Sequence, residues 1–373
     1  MGARKKRSCK DNIFIINGII HGVLKSKKNH PILLQIYDYA QMFDSIDLQE
    51  ALSDIYENGV DDDDTLHLLH EANKEIHMSV KTPHGLTDRQ VLRNIVLQGD
   101  TWGSILASVQ VDNIGKECLE EGHGYIYKDS LTVGFLGLVD DIIGVSEDGM
   151  KAQMLNAFIN VKTAEKSLQF GTTKCKSMLV GKDTESVVNS ELLVDNWTVK
   201  YMENKDIGED DLIESYDGMV PIEKTGTQKY LGFVISNQGD NMANIREVQK
   251  KFIGVIRKIM NKLKSLNLRN YYFECAMILK NSILRGTILY ASDMYYKLKE
   301  SEMRQIERIE EEYLRKVMRT TRGCPITQLY LESGEIPARF EIQKMRCLYL
   351  KNILSQDENN LLYKFVMLQL ESK

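Results

Sequence analysis

Asp140 and Asp141 stand side by side between two apolar runs, residues 131–139 and 142–145. Adjacent carboxylates between two strand-like runs read as the tip of a hairpin that leaves a buried sheet. Like charges placed there are costly unless something positive neutralises them. A divalent cation is the simplest neutraliser, and oxygen ligands suit Mg2+. The alternative is a solvated Asp-Asp turn. A third carboxylate, Asp38, ends another apolar run, residues 31–37, which reads as a buried strand. If both segments leave one sheet, Asp38, Asp140 and Asp141 converge at strand ends. Such a set could hold two Mg2+ ions and support in-line phosphoryl transfer. No other constellation competes: the seven histidines lie outside these motifs, and there is no G-x-S-x-G elbow, Walker A loop or G-x-G-x-x-G.

The elements that must position these residues follow from patterning. Residues 48–56 read as a short helix. Asp61-Asp62-Asp63-Asp64 could cap a second helix running to about residue 78, since carboxylates suit the positive end of a helix. His67, His70 and His77 fall on that helix, with no fourth metal ligand in view. Gln98 to Ser104 form a loop that opens an apolar helix through residue 111. A strand at 125–127, the Asp140 hairpin, a helix over about 149–169 and a strand at 178–180 follow. Residues 181–224 are an acidic connector holding at most one hairpin, around Trp197-Thr198-Val199. Residues 229–236 return to strand character. Then the class changes: Ile245, Val248, Phe252, Val255, Ile256, Ile259 and Leu263 recur at helical spacing with cations opposite them. Further helices are expected at about 271–298, at 303–318 and after Pro337. The expected class is α+β, a mixed unit to about residue 236 and an all-helical region after it.

A chain of 373 residues exceeds what one hydrophobic core usually supports, so two or three subdomains are expected. With 43% hydrophobic and 27% charged residues, the composition is that of a folded globular protein. The net charge of −5 conceals segregation. Arg4, Lys5, Lys6, Arg7, Lys10, Lys25, Lys27 and Lys28 crowd the first thirty residues against a lone Asp11, and a second basic block runs over 246–269. Such blocks permit phosphate contacts despite an acidic total, and they also serve as plain solvated faces. The six cysteines are scattered without a C-x-x-C pair, which points to free thiols in a reducing compartment. No stretch reaches the length of a membrane span and the N-terminus lacks a signal-peptide core. A nuclear or cytoplasmic protein is expected, not a secreted one, with no membrane partner. The Arg4–Arg7 cluster fits a nuclear import signal or phosphate contacts.

Read in order, Asp38-Tyr39-Ala40-Gln41-Met42-Phe43-Asp44, then Leu97-Gln98-Gly99, then Leu138-Val139-Asp140-Asp141 resemble three successive palm motifs of reverse transcriptases. Lys174-Cys175-Lys176-Ser177-Met178 resembles the lysine-bearing fourth motif, and Lys229-Tyr230-Leu231-Gly232 the fifth, a primer-gripping hairpin. Arg7-Ser8-Cys9-Lys10-Asp11-Asn12-Ile13 directs the resemblance to non-LTR, LINE-like retrotransposons, as do Gly323-Cys324-Pro325, Tyr330-Leu331-Glu332 and Pro337-Ala338-Arg339-Phe340 in the tail. The resemblance covers nearly the whole chain. Any one motif is weak, whereas five in order are specific.

The resemblance implies a right-hand polymerase. Residues 1–30 would be a partial-fingers segment, 31–180 the palm with a fingers insertion at about 45–97, and 181–240 the connector and primer-grip hairpin. Residues 241–320 would form a helical thumb and 321–373 a C-terminal helical region. The implied activity is RNA-directed DNA polymerisation with two Mg2+ ions, Mn2+ being a possible substitute. A DNA primer 3′-hydroxyl on an RNA template would attack the α-phosphate of a dNTP. Asp38 and Asp140 would be the main metal ligands, with Asp141 completing the cluster. Phe43 would stack under the incoming sugar and clash with a ribose 2′-hydroxyl. Gln98 and Gly99 would approach the nucleotide and template. Lys174 would act near the pyrophosphate as general acid or charge stabiliser. Helix 245–266 would track the phosphates of an RNA–DNA hybrid.

Each role has a plainer counterpart. Phe43 could be a core aromatic, 98–99 a simple helix-entry turn, Lys174 or Lys176 a surface cation, and the thumb lysines mere solvation. Asp44 and Asp100 are acidic near the site, as in family members, and are not read as ligands. The chain departs from the family in lacking the finger motifs upstream of the first aspartate and an endonuclease domain. The expectation is an N-terminally truncated copy whose metal site survives while nucleotide affinity is impaired. Two rivals stay open: a metal-dependent nuclease, and an inactive relic that only binds nucleic acid.

Overall fold

The computed structural model describes residues 8–26, 30–93, 96–97, 99, 102–182, 192–194, 220–266 and 271–371. The chain divides into two compact units, Met1–Asn12 with Val23–Gly226, and Ile13–Gly22 with Thr227–Lys373. The class is α+β, as the patterning requires.

Helix α1 (Cys9–Lys25) opens the described chain. The first unit is then built on β1 (Ile32–Asp38), every residue of which is buried except the half-buried Asp38. Short helices α2 (Met42–Ser45), α3 (Leu48–Glu57) and α4 (Asp63–Asn73) follow. Asp47 caps α3 by accepting from the amides of Gln49 and Glu50. Exposed hairpins come next, β2 (Glu75–Met78) with β5 (Gln90–Arg93) and β3 (Lys81–Thr82) with β4 (Gly85–Leu86). Helix α5 (Gly103–Glu120) leads to β6 (Tyr125–Tyr127), β7 (Leu131–Val133), β8 (Phe135–Leu138) and β9 (Asp141–Ser146). Helix α6 (Gly149–Glu165), capped by the Asp148 side chain, returns the chain to β10 (Lys176–Val180). The short strands β11 (Leu193–Val194), β12 (Val220–Pro221) and β13 (Glu223–Lys224) end the unit.

The main sheet has the order β13-β10-β1-β9-β8. It is antiparallel apart from the β10–β13 pair. β1 is central, with hydrogen-bonded neighbours on both edges and α6 packed on it, which is why Ile-Leu-Leu-Gln-Ile-Tyr carries no alternation. Its one internal polar residue, Gln35, is fully buried and satisfied: Nε2 donates to Ala152 O at 2.8 Å, and Oε1 accepts from the Tyr37 hydroxyl at 2.8 Å. Each fully buried Leu or Ile of such a strand contributes about 1.5–3 kcal/mol relative to exposure.

Several expected elements are corrected. Residues 131–139 are two strands, because a side chain at Gly134 would collide with the His123 carbonyl where β7 turns into β8. The helix expected from 61 to 78 stops at Asn73, whose side chain bends back to Leu69 O at 2.9 Å. Residues 75–78 pair instead with β5, so His77 lies on a strand, 3.3 Å from Glu75. The helix expected to residue 169 ends at Glu165, ahead of Ser167 in the left-handed region at φ 56°. The hairpin expected around Trp197 lies outside the described residues.

Beyond Ile13–Gly22 the second unit continues with a hairpin, β14 (Thr227–Tyr230) and β15 (Phe233–Ser236), so the strand character read at 229–236 belongs to two paired strands. Leu231 and Gly232 both have positive φ, 48° and 79°, as a two-residue turn between twisted strands demands. Helix α7 (Met242–Ser265) buries Ile245, Phe252, Ile256, Ile259 and Leu263 and exposes its cations. The region expected as one helix over 271–298 is four pieces: α8 (Tyr272–Leu279), a π-helical turn at Lys280–Leu284, α9 (Arg285–Leu289) and a 3-10 turn at Ser292–Met294. The widened turn coincides with Lys280, which is 2% exposed and pairs with Glu310 at 2.8 Å and Glu335 at 2.7 Å. Helices α10 (Glu300–Met318), α11 (Ile326–Ser333), α12 (Ala338–Leu354) and α13 (Leu361–Glu371) complete the unit. No helix among the described residues is long and apolar enough to cross a membrane.

Candidate active site

Asp38 is the last residue of the central strand, so what flanks it is set by the segments on either side. On one side β9 places Asp141 directly opposite it. On the other, β10 pairs Ile36 with Lys176; that register is broken before Asp38, since Tyr39 bridges Phe170, and Lys174 reaches the aspartate from the turn at 171–174. The contact is made: Lys174 Nζ lies 2.8 Å from Asp38 Oδ1. Asp38 and Asp141 are thus a cross-strand pair whose side chains share a face, and the Lys174 ion pair extends them into one row. Asp140 adjoins the row, exposed at the two-residue turn between β8 and β9. Its neighbour in that turn, Val139, has φ 54°, a strained conformation for a β-branched residue.

Backbone contacts hold the row together. Gly171 N donates to Asp38 O at 2.7 Å, and Lys174 N donates to Gly171 O at 2.7 Å, so the turn carrying the lysine is tied to the strand carrying the aspartate. Gly171 is needed for this approach, since a Cβ there would lie 3.0 Å from Asp38 Oδ1. The Asp38 side chain is 24% exposed and that of Lys174 66%. The hydrogen bond to Asp38 and its charge raise the Lys174 pKa above the ordinary lysine value, with smaller contributions from Asp140 and Asp141. Burial pushes the adjacent Cys175 thiol up to about 11. Lys176, the other candidate, pairs with Glu223 at 2.5 Å instead.

The remaining candidates are distributed unevenly. Phe43 sits on α2, half-buried and packed on the core that also holds Tyr39 and Phe170. A Cβ built on Gly103 would lie 3.6 Å from the Phe43 ring, so the first residue of α5 comes up to this aromatic. Gly99 adopts φ 93° with open space around its α-carbon, a backbone that glycine alone takes readily. Gln98 lies outside the described residues. Lys229, Tyr230, Leu231 and Gly232 belong to the second unit, where Tyr230 is buried, Lys229 is exposed, and the Tyr290 hydroxyl donates to Leu231 O at 2.6 Å. His67 and His70 lie on α4, and among the described residues no three His, Cys, Asp or Glu side chains are grouped as a metal-binding set.

No family model matches the sequence, and no curated protein does. Solved structures do match in shape. Telomerase from Candida albicans, in complex with a TWJ fragment of telomeric RNA, matches at 10% identity over 89% of this chain and 55% of that one, TM-score 0.45. Apo telomerase from Candida tropicalis matches at 11% identity over 92% of this chain and 49% of that one, TM-score 0.45. A form of it truncated from the C-terminal domain matches at 14% identity over 61% and 38%, TM-score 0.37. The chain spans about half the length of these structures or less.

Sequence reading missed the parts that set the row. Gly171 and the turn it begins carry the lysine to Asp38. Tyr39 and Phe170 form an isolated bridge, and their rings stack at 5.4 Å beside the end of β1. The run Gly171-Thr172-Thr173-Lys174 was the available signal: a glycine-led polar turn immediately before an apolar strand.

Proposed function

We propose that this chain carries the palm and thumb of a reverse transcriptase of the non-LTR, LINE-like kind, extending a DNA primer on an RNA template. The observation that supports it most is the Lys174–Asp38–Asp141 row with Asp140 at its edge, which gathers motifs from three distant parts of the sequence at one end of one sheet. The carboxylates are oxygen donors of the kind Mg2+ takes, and Asp38, Asp140 and Asp141 are the residues that would hold two such ions. Bound there, the ions would activate the primer hydroxyl and neutralise charge on the departing pyrophosphate. Asp38 would have to exchange its lysine partner for the cation.

The chain's own residues do the rest. Lys174, a lysine and so protonated at neutral pH, would be freed by that exchange to stabilise or protonate a leaving phosphate. Phe43 would bear on the sugar of the incoming nucleotide, Gly99 with Gln98 on its base and template, and Lys229 to Gly232 on the primer. The exposed cations of α7 would contact hybrid phosphates. The test is primer extension with dNTPs and Mg2+: extension by the unmodified chain and none by Asp140→Asn supports the reading, and equal extension by both refutes it. Labelled hybrid shortened without nucleotides would identify a nuclease instead.

One observation favours a second reading, an inactive chain that only binds nucleic acid. Asp38 is already neutralised by Lys174, and the carboxylates are not grouped as a metal-binding set among the described residues. That reading requires salt-sensitive binding with no incorporation at any nucleotide concentration.

A further inference from the structure

Within the second unit, α7, α8 and α10 enclose an open groove of about 750 Å³. Its floor is apolar, with Ile256, Met260 and Leu263 among the lining residues, and its rim carries Arg257, Lys264, Lys316 and Arg319. Among the described residues no carboxylate lines it. Of the four cations, Lys316 is shared with Glu312 at 2.6 Å. Tyr272, half-buried, supplies an aromatic wall, and the Arg319 guanidinium stands 5.7 Å from the centre of its ring.

Arg319 carries an unusual conformation to reach that place. It ends α10 in the left-handed region at φ 55°, where glycine or asparagine is the ordinary choice. Strain of this kind is kept where it serves a site.

The cations of α7 also separate into two stripes. At about 100° per residue, Arg246, Lys250, Arg257 and Lys264 fall together, and Lys251, Lys258 and Lys262 lie about 120° further round. The groove takes Arg257 and Lys264 from the first stripe and nothing from the second.

We propose that this groove binds an unpaired stretch of nucleic acid, its phosphates on Arg257, Lys264 and Arg319 and a base against the Tyr272–Arg319 wall. An apolar floor, an aromatic ring and a planar guanidinium are what an unstacked base needs, and a cationic rim is what its backbone needs. The volume lies in the usual range of small-ligand pockets, about 300–1,000 Å³, which admits a nucleotide. A paired hybrid is left to the second stripe. The proposal rests on the nucleic-acid reading above for its ligand, and not on catalysis.

Anisotropy of fluorescein-labelled oligo-uridylate and of an RNA–DNA hybrid, titrated with the full chain at constant salt without Mg2+, tests it. Arg319→Gly should weaken oligo-uridylate binding about fivefold and Tyr272→Leu about tenfold, by loss of phosphate contact and stacking. Hybrid binding should be unchanged in both. The Lys251→Gln, Lys258→Gln, Lys262→Gln variant should show the reverse. Because glycine relieves the strain at position 319, Arg319→Gly should melt no lower than the unmodified chain, which separates lost binding from lost folding. Unchanged single-strand affinity in both groove variants overturns the proposal, as does equal loss of single-strand and hybrid binding. Displacement of the oligonucleotide by polyglutamate at equal charge concentration also overturns it, in favour of an acidic protein partner. Groove binding by a chain that extends no primer defeats only the polymerase reading. Extension with normal binding by both groove variants defeats only the groove.

Discussion

Replacing Lys174 by methionine separates the lysine's electrostatic role from its fold. The Lys174 side chain is two-thirds exposed at 66%, so the Asp38 pair itself is an exposed contact, one whose loss costs about 0.2–1 kcal/mol. Asp38 and Asp141 then face each other in register with no ammonium between them and the solvent, and directly opposed like charges cost about 0.2–1 kcal/mol more. The sum, about 0.4–2 kcal/mol, should appear in urea denaturation without divalent ions. A cation that replaces the lysine recovers it, and a recovered 1 kcal/mol corresponds to about fivefold tighter Mg2+ binding. Denaturation repeated across a MgCl2 series reads that affinity through the stabilisation it confers. Lys174→Met should therefore gain more from Mg2+ than the unmodified chain while extending primers more slowly. The pH dependence has a definite sign. A raised lysine pKa means that the pair's stabilisation is complete below the ordinary value of 10.5 and is lost as pH climbs through the raised one. The difference between the two proteins should then be constant from neutral pH to pH 9 and vanish only in strong alkali. Equal stability and an identical Mg2+ response in the two proteins would refute the account of the row.

Three other outcomes follow from single contacts. Gly171→Ala places a methyl 3.0 Å from Asp38 Oδ1; displacing that carboxylate by tenths of an ångström should slow extension about tenfold with an unchanged urea midpoint. Lys280→Met removes the ammonium shared by Glu310 and Glu335, which are 5% and 10% exposed; Glu335 keeps Arg285 at 3.8 Å and Glu310 keeps the Tyr330 hydroxyl at 3.0 Å, so the loss by urea denaturation should fall at or below the lower end of the roughly 3–5 kcal/mol of a fully broken buried pair. Adding Glu310→Gln and Glu335→Gln should restore most of that loss, and a triple variant no better than the single one would show that the cluster acts otherwise. Burial pushes Cys175 up to about 11 and Cys118 up to about 12, while Cys347 is exposed. Iodoacetamide at pH 8 should thus modify Cys347 in the native protein and reach Cys118 and Cys175 only in urea, as read by peptide mass spectrometry.

The aspartates were legible because each ends an apolar run, and a buried strand that stops at a carboxylate has to surface there. Burial of residues 32–37 and 142–146 follows from composition alone, and pairing two such strands aligns their ends. The lysine was half legible. Its place depends on β10 joining the opposite edge of β1, a long-range pairing that leaves no periodicity in the chain. The same limit explains His77. Histidines at 67, 70 and 77 suit a helix by spacing, yet residues 75–78 take a cross-strand partner at 90–93 that local patterning does not announce. Amphipathic α7 was legible over most of its length, since one face meets its own unit's core and the other meets water. The π turn at Lys280 was not, because its partners Glu310 and Glu335 lie thirty or more residues downstream, and patterning treats an apolar neighbourhood around a lysine as a helix with one exposed cation. What sequence reading resolves here is where side chains must leave water. Which charges then meet is decided by long-range packing, and both Lys174 and Lys280 owe their partners to it.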